Sequence, residues 1–143
     1  MSEHAFEASA TISAPPQAVW KILVDAEAYP TWDSGVVSVD GKIGDGETIT
    51  VHAAINPGRS FPVKVTDFEA PSKMKWTGGI PLGLFVGERR FTLTASGDGG
   101  TVFDMREEYH GPFTAMIWGS IPDLQPSFVQ FAHGLKARAE QDA

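Results

Sequence analysis

The chain has 143 residues, enough for one domain with a genuine hydrophobic core. Its 18 Asp and Glu against 11 Lys and Arg give a formal net charge of −7, which argues against nucleic acid as a partner and against docking on anionic lipid, since both need a basic face. The absence of cysteine excludes disulfides, thiolate catalysis and zinc–thiolate centres, while 42% hydrophobic and 20% charged residues are ordinary for a globular domain.

The opening Met1-Ser2-Glu3-His4 has neither a basic region nor an apolar stretch, so no signal peptide is expected. No window approaches the roughly 18 apolar residues that span a bilayer, so no membrane insertion is expected either. A cytoplasmic location fits the lack of cysteine. Residues 5–12 alternate loosely and predict a first strand. Ser13 is placed to cap a helix that Pro15 and Pro16 open, where a proline loses no helical hydrogen bond. Val19, Ile22, Leu23 and Ala26 mark one face of that helix. Pro30 ends or kinks it, and a second short helix is expected around 27–33.

From Gly35 to His110 the hydrophobic period switches to two. Strands are predicted at 36–42, 47–55, 60–68, 72–78, 85–95 and 101–110. The breaks are Gly44-Asp45-Gly46, Asn56-Pro57-Gly58-Arg59, Ala70-Pro71 and Gly97-Asp98-Gly99-Gly100. Connections this short favour an antiparallel meander. Gly78-Gly79-Ile80-Pro81-Leu82-Gly83 is expected to form an apolar loop with its glycines at turns. Gly111-Pro112 stops the last strand, residues 113–121 are expected to be partly helical, and Pro122 precedes a final helix from Asp123 to Glu140. Leu124, Phe128, Phe131 and Leu135 form its buried stripe, and Gln130, His133, Lys136 and Glu140 its wet side.

Two stretches carry a resemblance: Ile12-Ser13-Ala14-Pro15-Pro16-Gln17-Ala18-Val19-Trp20 with Tyr29-Pro30-Thr31-Trp32, and Arg106-Glu107-Glu108-Tyr109-His110-Gly111-Pro112. With the order of elements, they resemble the START-like (SRPBCC) superfamily, which includes the birch-pollen-allergen-type proteins and the polyketide cyclase/dehydrase group. The resemblance covers essentially the whole chain. It implies an α+β helix-grip fold, in which a curved antiparallel seven-stranded sheet surrounds a long C-terminal helix and two short helices follow the first strand. Members of the superfamily bind lipids, hormones, flavonoids and polyketides, and some are cyclases, hydrolases or co-chaperones. The fold by itself assigns no activity.

In such a sheet alternate residues face inward. Phe103 and Met105 set the phase of the last strand and send Glu107 and Tyr109 inward; Phe91 and Leu93 do the same for Arg89. A three-residue loop Gly97-Asp98-Gly99 would place 93 opposite 103, 91 opposite 105 and 89 opposite 107. Arg89 and Glu107 then meet across the strands, as a buried charge requires. The pair is either a structural bridge closing one end of a cavity or a device in which Arg89 holds an anionic or carbonyl group and Glu107 orients it. Tyr109 offers its hydroxyl to a ligand or to a backbone carbonyl. Met74 and Trp76, Phe61 with Val63 and Val65, and Ile49 with Val51 and Ala53 share the inward phase. Phe128 and Phe131 join them from the final helix, and Met116, Ile117 and Trp118 from the segment before it. These residues either pack as core or line a void. Trp20 and Trp32 are expected to pack the small helices against the sheet edge.

The four histidines fall at no metal-ligand spacing, and no phosphate loop, dinucleotide fingerprint or nucleophile elbow is present, so neither metal nor cofactor is expected. The leading expectation is a monomer or homodimer that binds a small hydrophobic or aromatic molecule between sheet and helix. Its ligand set would be Arg89, Glu107, Tyr109, Trp76, Met74, Phe91, Met105, Phe128 and Phe131, with entry past 78–84 and 113–121. A cyclase or dehydratase on the same shell and a ligand-free protein-interaction module are the alternatives.

Overall fold

The computed structural model describes residues 4–55, 58 and 60–142. In chain order, β1 (Ala5–Ile12) leads to helix α1 (Pro16–Leu23) and a short 3-10 helix (Ala26–Thr31). The strands β2 (Val36–Asp40), β3 (Thr48–Ala53), β4 (Phe61–Glu69), β5 (Lys73–Ile80), β6 (Phe85–Ala95) and β7 (Thr101–His110) follow, with a single 3-10 turn at Pro81–Gly83. Helices α2 (Thr114–Trp118) and α3 (Gln125–Gln141) close the chain. The seven strands make one curled antiparallel sheet in the order β1-β7-β6-β5-β4-β3-β2. This is the predicted α+β helix-grip arrangement. The meander follows from the short turns, and β1 returns to the far edge beside β7.

The predicted β6–β7 register is observed: Leu93 faces Phe103, Phe91 faces Met105, and Arg89 faces Glu107. Inward alternation buries Ile49, Val51, Val65, Met74, Trp76, Phe91, Leu93, Phe103 and Met105. Against them lie Phe128, Phe131, Ala132, Leu135 and Ala139 of α3. Leu124, at the head of the predicted stripe, is only partly covered.

Both flanks of α3 are locked by polar contacts that span the chain. On one side Gln130 Nε2 donates to Asp33 Oδ1 (2.7 Å), and Arg138 Nη1 donates to Thr31 O (3.2 Å) and Thr31 Oγ1 (3.0 Å). Between them, one and two turns along, Gly134 is buried against the Asp33 carbonyl. On the other side Gln125 exchanges two bonds with the backbone of Glu7, Lys136 Nζ donates to Thr11 O (2.7 Å), and the Ser13 N–H donates to Glu140 Oε2 (2.9 Å). These three side chains bond backbone groups of Glu7, Thr11 and Ser13 along the β1 edge, which would otherwise be open to another strand at those points.

Several local expectations are corrected. Ser13 does not cap α1: the N-cap position is Pro15 and carries no side-chain bond. The tilt of β1 into α1 instead brings the Ser13 N–H to Glu140. Helix α3 starts at Gln125, because Asp123 turns back to accept from the Gln125 N–H (3.0 Å). Gly78 and Gly79 are not turn residues but belong to β5, which pairs with β6 as far as Ile80–Phe85. Of the turn predicted at 56–59, residues 56, 57 and 59 lie outside the described residues.

Candidate functional site

Directly paired residues in an antiparallel sheet point to the same face, so the register lays out the inner surface as rows. The central row runs Val65–Trp76–Arg89–Glu107–Phe6 across β4, β5, β6, β7 and β1. To one side lies Met74–Phe91–Met105–Ala8. To the other lies Gly78–Gly87–Tyr109. Arg89, Glu107, Tyr109 and Trp76 thus occupy adjoining places, with Met74, Phe91 and Met105 as the apolar row beside them. Phe128 comes down on the arginine, and Phe131 packs further along α3 against Phe91, Phe103, Tyr29 and Trp32.

Arg89 Nε donates to Glu107 Oε1 at 2.7 Å, with the two side chains 22% and 15% exposed. The guanidinium carbon stands 4.7 Å from the centre of the Phe128 ring, a cation–π contact sheltered from bulk water. Among the described residues the two Nη nitrogens of Arg89 carry no hydrogen bond. The second oxygen of Glu107 leans over Gly87. A Cβ built on that glycine would stand 3.2 Å from Glu107 Oε2 and 3.2 Å from the Tyr109 ring. Gly87 is therefore a glycine because the carboxylate and the phenol take the space above it. Its partner Gly78 does the same for Val63, whose Cγ1 would meet a Cβ at 2.9 Å.

Tyr109 is buried, and its hydroxyl lies beside the Glu107 carboxylate without a hydrogen bond of full geometry among the described residues. Burial, reinforced by the negative charge of Glu107 and by the approach of that carboxylate to the hydroxyl, pushes its pKa up, so the phenol is neutral. Its ring stacks on Phe85 (5.8 Å) and packs against Phe6 and Trp118. Tyr29, also pushed up by burial, donates to Leu23 O at 2.6 Å and is satisfied. Trp20 ties α1 to Phe68 of β4, an interior strand and not the expected sheet edge; Trp32 reaches inward to Tyr29 and Phe131 (5.1 Å).

Two expected inward residues are not inside. Met116 is 71% exposed, because a five-residue helix between glycine and proline segments turns Thr114 rather than Met116 to the protein. Phe61 is 37% exposed at the start of β4. Sequence reading missed Gly87, Gly78, Phe6 and Phe85. Gly87 lies two residues before Arg89 and so carried the same inward phase.

The proposed entrance segments do meet, since the Phe113 N–H donates to Leu84 O (2.9 Å). Neither 78–87 nor 111–122 contains an ionisable side chain. At the tip between them Leu82 is 94% exposed in a left-handed conformation (φ 69°), a place that neither burial nor backbone geometry favours for leucine. A groove of about 520 Å³ on the outer face is different in kind. Its wall includes Arg106, already bound to Glu7 (2.6 Å) and Glu108 (2.8 Å). Among the described residues no group of three or more His, Asp or Glu could hold a metal ion, and no helix is long and apolar enough to cross a membrane.

Known structures share this architecture. The Mesorhizobium loti protein MLL2253 aligns over 98% of this chain and 99% of its own, with a TM-score of 0.75 and 18% identity. A START superfamily protein from Mycobacterium smegmatis covers 98% and 99%, with a TM-score of 0.69 and 18% identity. The Zhui aromatase/cyclase from a Streptomyces species covers 96% and 94%, with a TM-score of 0.73 and 13% identity. At such identities the likeness is one of fold. No curated protein matches the sequence. A family model described as polyketide cyclase / dehydrase and lipid transport matches residues 3–140, and with the START-like fold around it, the chain belongs to that family.

Proposed function

We propose that this protein holds a small apolar or aromatic molecule between the inner face of the sheet and α3, with Arg89, Glu107 and Tyr109 as its polar end. The observation that carries the reading is the buried Tyr109 hydroxyl, which makes no hydrogen bond of full geometry, beside an arginine whose Nη nitrogens are unengaged. Most buried polar groups in a folded core are satisfied, so a cluster left open is a place for an outside partner. The aromatic rings of Phe6, Phe85 and Trp118 around Tyr109, with Phe128 packed on Phe6, supply an apolar wall.

A second reading rests on Glu107 Oε2. Arg89 holds the other oxygen in place, so Oε2 would serve as a base toward a ligand with an acidic C–H. That is the chemistry a cyclase or dehydratase on this shell would need.

The test is a side chain at Gly87. Gly87→Val would fill the space that Glu107 Oε2 and Tyr109 share. Binding of anilinonaphthalene sulfonate, an aromatic anion, is expected to weaken at least about tenfold, with far-UV circular dichroism unchanged. Equal affinity in a folded Gly87→Val protein would place the probe elsewhere and contradict the proposal.

A further inference from the structure

Exposed apolar side chains are not scattered evenly over this protein. Among the described residues, Ile80, Leu82, Phe113 and Met116 are large, apolar and exposed, and all four fall within 78–87 and 111–122. None of the chain's 18 carboxylates or 11 lysines and arginines lies in those two segments. The net charge of −7 is therefore carried entirely by the rest of the molecule.

The two segments form one end of the shell. Val86 pairs with His110, and Gly111 admits the backbone of the turn beside it: a Cβ there would stand 2.7 Å from Leu84 O and 2.8 Å from Gly83 O. Gly79 does the same on the other flank, where a Cβ would stand 2.1 Å from Phe85 O. Phe61 lies at the same end, because β4 begins where the antiparallel β5 finishes. Backbone contact on both flanks thus holds the tip in shape.

Leu82 is the outlier. At 94% exposure and φ 69°, its side chain gains nothing from burial and sits where glycine would be at ease. An outlier that its own fold does not reward points to an outside contact. A side chain with so few neighbours projects from the surface. A rigid partner would need a cleft shaped to receive it, whereas a fluid acyl layer closes around it. The local polarity fits such a layer. Thr114 and Ser120 turn their hydroxyls back to Gly111 O and Ile117 O (2.8 Å each), so neither presents an unmet donor. Trp118 is of the residue type that favours the membrane–water interface.

We infer that this tip is a docking surface for an uncharged lipid bilayer, with Leu82 and Met116 resting at the headgroup–acyl boundary. The contact is interfacial and asks for no spanning segment. Because the rest of the chain is acidic, a negatively charged bilayer is the poorer partner. Docking of this kind does not depend on whether the shell holds a ligand.

Flotation of the purified protein with phosphatidylcholine vesicles tests the inference, and Leu82→Gly is the decisive variant. Glycine adopts φ 69° without strain, so its thermal midpoint is expected to be unchanged or raised, while its affinity for the vesicles is expected to fall at least about tenfold. Met116→Ser is expected to weaken binding in the same direction. Replacing part of the phosphatidylcholine with phosphatidylglycerol at low salt is expected to weaken wild-type binding. Absence of wild-type binding to phosphatidylcholine, or equal binding by a folded Leu82→Gly protein, would overturn the inference. Tighter binding to the anionic vesicles would place the contact on a basic face and overturn it as well. So would sedimentation showing a dimer that Leu82→Gly dissociates, since the tip would then serve a second copy of the chain.

Discussion

Gly134→Ala is expected to destabilise the protein by about 3 kcal/mol and to lower the thermal midpoint by roughly 10 °C, although alanine is the better helix former by about 1 kcal/mol. The reason is local. A Cβ at position 134 would stand 2.0 Å from the carbonyl oxygen of Asp33 and 2.7 Å from its carbon. Both obstacles are backbone, so no side-chain rotation relieves them. Either α3 lifts from the sheet or the 31–35 segment is displaced, and the bonds from Gln130 and Arg138 on either side resist both movements. Gly119→Ala is the matched control: nothing lies within 4 Å of its Cβ, and its helical backbone (φ −66°) suits alanine. A Gly134→Ala melt at or above the wild-type midpoint would show that α3 does not sit on Asp33 in solution.

The second large effect concerns the inner ion pair. Arg89→Met removes the cation and leaves the Glu107 carboxylate among Phe6, Phe128 and Tyr109. Stranding one member of a buried pair costs about 3–5 kcal/mol, and the partial exposure of this pair places the expected loss near the lower end, about 3 kcal/mol at neutral pH. The double variant Arg89→Met, Glu107→Leu is expected to regain most of the loss, since neither charge is then buried alone. Denaturant unfolding at neutral pH checks both statements; a double variant no more stable than Arg89→Met would assign the arginine a packing role, through its contact with Phe128, rather than a charge role.

The parts of this protein that were legible in the sequence are those fixed by short-range period and turn chemistry. Phe91, Leu93, Phe103 and Met105 set the phase of β6 and β7, the Gly97-Asp98-Gly99 turn set their register, and together they brought Arg89 opposite Glu107. What escaped is what depends on distant backbone. Gln130, Lys136 and Glu140 have the spacing of a wet helix face, yet each bonds to a segment about a hundred or more residues away in the chain. No periodicity records that a glycine in α3 is needed to admit a carbonyl at position 33. Gly87 escaped for another reason: glycine carries no hydrophobic signal, so only the strand phase marks it as inward. Met116 was misplaced because one and a half turns of helix bounded by glycine and proline hold too few residues to fix a face.

The central claim is that the shell holds a small molecule, and native mass spectrometry of the purified protein tests it most directly. The expected result is a discrete extra mass under native conditions that disappears on denaturation, or, if purification strips it, a saturable one-to-one adduct with an aromatic acid that Gly87→Val fails to retain. A native mass equal to the bare chain, unchanged after incubation with a mixture of aromatic acids, would contradict the account.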